Sequence, residues 1–269
     1  MSIHGKTIVL TGASSGIGES AAKQLAYRGA FVCLVARRSD ELARVQREIE
    51  AEGGRCSIHV ADLSKPESVE DCAEQLLAQH ARIDVLVNNA GRSIRRPIRE
   101  SLDRMHDFER TMQLNYLGAV RLTLKLLPRF IEQGRGHVVN SSSMSVQLPI
   151  PLFSAYLASK CAMDSFGRSL AAEMGHKGID VTTIYFPMVR TPMSSRTRIY
   201  EAMPMMSVDE AGGLIVKAVD KRPSRISAPL GTVGGLALAA LPGPVTRFSQ
   251  LLFRGMDKQL RRRVEDSQP

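Results

Sequence analysis

No two of the four cysteines form a CxxC pair, and Cys33, Cys56, Cys72 and Cys161 show no metal-ligand spacing. A disulfide scaffold is excluded and no metal site is expected. The thiols read as reduced, in a cytoplasmic protein. No leader is expected either, because the first apolar run, Ile8-Val9-Leu10, is too short for the core of a secretion signal. Aromatic residues make up only 5% of the chain and no nucleic-acid module is recognised. Despite a net charge of +9, no nucleic-acid partner is expected. Long hydrophobic runs are missing as well. The 21 residues from Ile226 to Thr246 carry no charge, but Pro229, Pro242 and Pro244 interrupt them. The longest proline-free part, Leu230–Leu241, has 12 residues, and a membrane span needs about 20.

The chain does have an ordinary globular composition: 269 residues, 43% hydrophobic and 23% charged. That is enough for a sizeable core without covalent staples. Strands are expected at Thr7–Leu10, Phe31–Ala36, Cys56–Ala61, Asp84–Val87, His137–Asn140 and Val181–Phe186. Their apolar residues are consecutive rather than alternating, as in strands covered on both faces. Helical stripes lie between them: Leu42, Val45 and Ile49 in Glu41–Glu52, and Val69, Ala73, Leu76 and Leu77 in Pro66–Gln79. This alternation predicts an α/β fold, a Rossmann-type doubly wound parallel sheet with helices on both faces. No linker or repeat divides it, so a single domain is expected.

The first strand runs into Thr11-Gly12-Ala13-Ser14-Ser15-Gly16-Ile17-Gly18. A glycine-rich turn between strand and helix brings backbone close to a pyrophosphate, and the helix N-terminus supplies N–H donors. The order is G-x-x-x-G-x-G, not the general G-x-G-x-x-G. Further along stand Asp62-Leu63, Asn89-Ala90-Gly91, Asn115, the serines Ser141, Ser142, Ser143 and Ser145, and Tyr156-Leu157-Ala158-Ser159-Lys160. Tyr156 and Lys160, four apart, share a helix face. A phenol with a pKa of roughly 10 is a poor proton donor near neutrality, and an adjacent ammonium lowers it. The same spacing is also common on solvated helix surfaces.

Taken together and in this order, these motifs resemble the short-chain dehydrogenase/reductase family over nearly all of residues 5–228. The resemblance implies a catalytic domain at 1–228 and a C-terminal extension at 229–269. It implies Tyr156 as general acid in carbonyl reduction and Lys160 as a partner that also binds the nicotinamide ribose. The family's serine lies 13 residues before its tyrosine, which selects Ser143, with Ser142 as runner-up. Asn115 matches an asparagine that helps hold a water linking the lysine to solvent. Gly12, Ser14, Ser15, Gly16, Ile17 and Gly18 are expected to bind a dinucleotide. Asp62 and Leu63 are expected beside its adenine and Asn89, Ala90 and Gly91 along its adenosine side. Pro187, Val189 and Thr191 are expected near the nicotinamide. Where many members read Pro-Gly, this chain reads Pro187-Met188.

Charge predicts the cofactor. The second strand ends in Ala36-Arg37-Arg38-Ser39, with no acid before Asp40. Guanidinium suits a 2′-phosphate, whereas a carboxylate would suit a free ribose diol. NADP(H) is expected, with Arg37 as main contact and Arg38 as a second.

The substrate walls read as apolar. One is Met144, Val146, Leu148, Ile150, Leu152 and Phe153; the other holds Met188, Met193, Met203, Met205 and Met206, with Arg190, Arg196 and Arg198 at the mouth. Methionine fits irregular apolar ligands and equally fills cores. An apolar carbonyl substrate is expected, long-chain or acyl in type, because the segment after Arg225 also looks like fatty acyl reductases of this family. An NADP-linked dehydrogenase of a secondary alcohol such as a steroid, or a non-catalytic NADP(H)-binding regulator, are the alternatives. The four residues Asn115, Ser143, Tyr156 and Lys160 together disfavour the regulator.

In the tail, Val245, Phe248, Leu252, Met256 and Leu260 recur every three or four residues among Arg247, Arg254, Lys258, Arg261, Arg262 and Arg263. This basic amphipathic helix suits either an anionic membrane surface or docking on protein. Peripheral membrane association and a homodimer or homotetramer are the corresponding expectations.

Overall fold

The computed structural model describes residues 3–194 and 205–265, with side chains up to Arg254 except Leu252. Seven strands form one parallel sheet: β1 (Thr7–Thr11), β2 (Phe31–Ala36), β3 (Arg55–Val60), β4 (Val85–Asn88), β5 (Gly136–Ser143), β6 (Ile179–Phe186) and β7 (Arg225–Ser227). Their spatial order is β3-β2-β1-β4-β5-β6-β7. The direction of winding reverses between β1 and β4, where doubly wound sheets open a ligand crevice at the strands' C-terminal ends.

Successive side chains of a strand point to opposite faces, so each apolar run feeds two cores. Ile8, Leu10, Val32 and Leu34 pack against α1 (Gly16–Tyr27), α2 (Ser39–Ala51) and α7 (Val208–Lys221). Val9, Cys33 and Val35 pack toward α3 (Pro66–Gln79), α5 (Gly118–Glu132) and α6 (Ser154–Met174). The helix of Met105–Met112, α4, joins α5 through one π turn at Gln113–Leu117. After β7, α8 (Pro229–Ala240) and α9 (Pro242–Glu265) close the chain. Among the described residues, no helix is long and apolar enough to cross a membrane.

Two departures from expectation bear on the site. β5 runs to Ser143 rather than stopping at Asn140. Its last residues are polar, but they pair with Ile184, Tyr185 and Phe186 of β6 and continue the ladder into the crevice. β7, only three residues long with arginine at its start, gives no apolar run to read. In α9, Val245, Ser249 and Phe253 are half-buried while Phe248 is exposed, so the face turned inward differs from the expected stripe. Lys258 and Arg261, Arg262 and Arg263, with the side chains of Leu252, Met256 and Leu260, lie outside the described side chains.

Candidate active site

β1 ends in a turn whose shape only glycine meets. Gly12 has φ +70°, and a Cβ there would lie 2.9 Å from Ala90 Cα. A Cβ on Gly18 would lie 2.2 Å from the carbonyl oxygen of Gly12. The turn is therefore packed backbone on backbone, and α1 begins directly from it. Ser15 sits at the N-cap in extended conformation with no side-chain cap bond. The first N–H groups of α1 thus face the crevice without a side-chain acceptor, as an anion site requires.

The ends of β1 and β4 are locked by Thr11, a residue the sequence reading passed over. Its hydroxyl donates to Val87 O at 3.1 Å and accepts from the amides of Asn89 and Ala90 at 2.9 and 3.0 Å. Asn89 Nδ2 donates to Thr11 O and its Oδ1 accepts from Ser141 Oγ. Asn89 therefore holds the crevice floor through its side chain, with Ala90 and Gly91 following. The sequence signal was its place directly before the glycine turn, and in the fold it is 1% exposed.

Beyond β2, Arg38 and Arg37 divide the rim. Arg38 Nη2 donates to Ser14 O, Ser14 Oγ and Ser15 Oγ at 3.3, 3.2 and 3.0 Å, bracing the glycine turn. The Arg37 side chain is 64% exposed, and its guanidinium lies 3.9 Å from Asp62. Burial pushes the Asp62 carboxyl up, but bonds from the Ser64 hydroxyl and amide and the charges of Arg37 and Lys65 hold it below the usual range. Leu63, next to it, is buried.

Asn115 occupies the π turn and ties two elements together. Its Oδ1 accepts from Arg92 N at 2.8 Å; its Nδ2 donates to Arg92 O and Ser159 Oγ, both at 2.9 Å. Ser159 in turn donates to Tyr156 O at 2.7 Å. Extra residues in π turns recur at functional sites because they re-aim a side chain out of helical register. Ser159, also missed by sequence reading, is the link between Asn115 and the tyrosine's own helix turn.

Lys160 is buried and donates from Nζ to Ser141 O at 2.7 Å. Desolvation lowers its ammonium to about 8. Nζ lies 5.9 Å from the Tyr156 ring centroid. Burial pushes the Tyr156 phenol up, and a hydrogen bond with the Ser143 side chain partly offsets that. The expected lowering by Lys160 is not what this arrangement gives, because the amine is directed at a carbonyl and desolvation dominates. Strand alternation separates the serines: Ser143 Oγ accepts from Ser145 N at 3.2 Å, whereas Ser142 Oγ is buried without a partner.

On the other lip, Thr191 rests against the glycine turn, its Cγ2 3.4 Å from where a Gly16 Cβ would be. Pro187 and Val189 lead into it. Met188 accepts Met206 N at 2.9 Å, and Arg190 N donates to Met206 O at 2.9 Å. This pairing holds the loop without a glycine, and Met188 is not among the described residues with positive φ. Arg196, Arg198 and Met203 lie outside the described residues.

The apolar wall after Ser143 is covered by α8. A Cβ on Gly231 would lie 2.6 Å from Met144 Cγ, and one on Gly234 2.6 Å from Leu148 Cδ2. Two glycines thus let the helix lie close on Met144 and Leu148. Ser249 of α9 donates to Pro149 O, tying the last helix to the same wall.

Glycine turn, asparagine clamp and Ser–Tyr–Lys cluster thus meet at the reversal point of one sheet. The sequence profile of the family described as short chain dehydrogenase matches residues 6–216.

The chain belongs to the short-chain dehydrogenase/reductase family.

It is an oxidoreductase of that family, whose fold carries a nicotinamide dinucleotide. Among curated relatives it is 49% identical over 240 residues to a fatty acyl-CoA reductase of Acinetobacter baylyi, spanning 89% of this chain and 81% of that protein. It is 43% identical over 259 residues to a fatty acyl-CoA reductase of Mycobacterium tuberculosis, spanning 96% and 87%. A metagenomic short-chain oxidoreductase solved in complex with NADP superposes with a TM-score of 0.74 at 29% identity, over 85% of this chain and 98% of that one.

The crevice fits a dinucleotide on its own residues. A cradle that a single Cβ would fill, an uncapped helix N-terminus and two arginines beyond β2 stand together.

Proposed function

We propose that this chain is an NADPH-dependent reductase of a long-chain acyl carbonyl, with a fatty acyl thioester as substrate. The observation that carries the reading is the Tyr156–Lys160 pair, with Lys160 Nζ 5.9 Å from the Tyr156 ring and held by Ser141 O, at the head of an apolar wall that follows Ser143 and that α8 covers. The fatty acyl-CoA reductases that this chain resembles at 43–49% identity support it. Arg37 and Arg38 support the 2′-phosphate, as does the NADP-bound structural relative.

When bound, the dinucleotide supplies a hydride. Ser143 donates a hydrogen bond to the substrate oxygen and holds it beside Tyr156. Tyr156 gives that oxygen its phenolic proton as negative charge develops there. Burial keeps the phenol protonated until that charge develops. Lys160, whose Nζ is fixed by Ser141 O, would hold the ribose of the bound dinucleotide. Asn115 holds the Arg92 backbone and, through Ser159, the Tyr156 turn. For a thioester this addition gives a hemithioacetal, whose C–S bond then breaks as its hydroxyl proton passes to sulfur, so the products are an aldehyde and a free thiol.

α8 and α9 carry the apolar wall outward. Leu230, Val233, Leu236, Leu241, Phe248 and Leu251 are exposed, with Arg247 and Arg254 beside them on α9. Such a surface suits peripheral contact with an anionic bilayer holding the substrate's chain.

The test is NADPH oxidation with acyl-CoAs of graded chain length, set against steroid alcohols with NADP. The reading expects kcat/KM to climb with chain length. Turnover of steroid alcohols alone would replace it with the alcohol dehydrogenase.

A further inference from the structure

Outside the crevice, three side chains from separate segments converge on the α3 side of the sheet's edge. Cys33 comes from β2, His59 from β3, and His80 caps the C-terminus of α3. The thiol sulfur and one ring nitrogen of each imidazole all lie within 4.8 Å of one another. Cysteine spacing along the chain could not show this, because parallel pairing and a helix end assemble the set. The register places Cys33 beside Ser57 and Val35 beside His59, which puts Cys33 and His59 on one sheet face.

The geometry is that of a ligand set. Cys33 Sγ is 3.3 Å from His80 Nε2. A tetrahedral zinc ion with sulfur at about 2.3 Å and nitrogen at about 2.0 Å sets its S···N edge at roughly 3.5 Å. Ser57 Oγ stands 3.0 Å from His59 Nε2, within reach as a fourth oxygen. Hydrogen bonds join Cys33 to His80 and Ser57 to His59 in two separate pairs, and an ion would join the pairs into one set. His59 is 2% exposed, and its Nδ1 is buried without any partner. The Phe31 ring packs 5.3 Å from that of His80 and closes one side.

We propose that Cys33, His59 and His80 bind one zinc ion, with the Ser57 hydroxyl or a water as fourth ligand. On binding, the Cys33 S–H bond breaks, an S–Zn bond forms and the proton goes to solvent; no electron is transferred. The ion fastens edge strand β3 and the end of α3 to β2, a structural role apart from the Ser143–Tyr156–Lys160 cluster. The half-buried His80 is the point of entry.

Metal-stripped whole protein titrated with Co²⁺ tests this. One ion per chain should bind, with a thiolate-to-cobalt charge-transfer band and the strong visible bands of tetrahedral cobalt, both removed by Zn²⁺. Cys33→Ala should abolish the charge-transfer band, whereas Cys161→Ser, which changes an exposed thiol, should keep it. His80→Ala, at a helix end, should fold and bind at least about tenfold more weakly. It decides the matter even if Cys33→Ala fails to fold. Zn²⁺ should raise the thermal midpoint of the wild type and not of His80→Ala. Absence of saturable binding, a band that survives in folded Cys33→Ala, or unchanged affinity in His80→Ala would overturn the site.

Discussion

The sequence ranks Arg37 above Arg38 as the phosphate contact, and the fold places the two differently. Arg38 is engaged by Ser14 and Ser15, whereas Arg37 is free to swing, its nearest acid 3.9 Å away. Arg37→Ala should therefore weaken NADPH far more than NADH. A charge-assisted contact of about 1.5–3 kcal/mol corresponds to roughly ten- to a hundredfold in affinity. Titration of both cofactors checks it, and equal losses would move the phosphate elsewhere. Lys160 gives a second prediction at this scale. Its ammonium is lowered to about 8 by burial. A lysine depressed in the folded state costs stability below that pH, and the cost fades as pH rises toward the ordinary lysine range. Lys160→Met should therefore be inactive yet more stable at pH 7, by up to roughly 3 kcal/mol. For a chain of this size each kcal/mol is about 2–4 °C in Tm. The gap should narrow above pH 8, and a gap independent of pH would contradict the assignment.

At the scale of elements, α3 was legible to the residue, Pro66–Gln79, because proline marks its start and a clean stripe its length. β2 was equally plain at Phe31–Ala36. What escaped was where apolar pattern and structure part. The polar end of β5 continues as strand because β6 supplies its partner. The π turn at Asn115 has no periodic signature. Asn115, Ser143, Tyr156 and Lys160, proposed for catalysis, are motif positions, but Thr11, which locks Asn89 and Ala90, and Ser159, which links Asn115 to the Tyr156 turn, act through tertiary hydrogen bonds that spacing does not encode. The junction of β1 and α1 is the most constrained of these elements. Gly18→Ala should force the Gly12 carbonyl aside and shift the turn. Overpacking of this kind costs about 1–3 kcal/mol. Thermal denaturation and NADPH titration should both show the loss; a variant of wild-type stability and affinity would mean the turn is slack.

At the scale of the whole molecule, α8 lies on Met144 and Leu148 and α9 is tied to Pro149, so both C-terminal helices meet the segment after Ser143. Truncation after Pro244 removes most of α9 and the contact of Ser249 with Pro149. Co-sedimentation with anionic vesicles should fall on truncation and with added salt, since each basic residue near such a surface adds about 1 kcal/mol that salt screens. Binding indifferent to both would leave α9 as a helix docked on protein. The central claim, that this fold reduces a long acyl thioester with Tyr156 as acid, is tested most directly by product analysis. Wild type and Tyr156→Phe would each be given NADPH and a long-chain acyl-CoA, with aldehyde and free thiol quantified and NADPH binding measured in parallel. The account predicts aldehyde and thiol in equal amounts from the wild type. It predicts neither from Tyr156→Phe, which should still bind NADPH nearly as tightly. Aldehyde from Tyr156→Phe at a comparable rate, or none from the wild type, would contradict it.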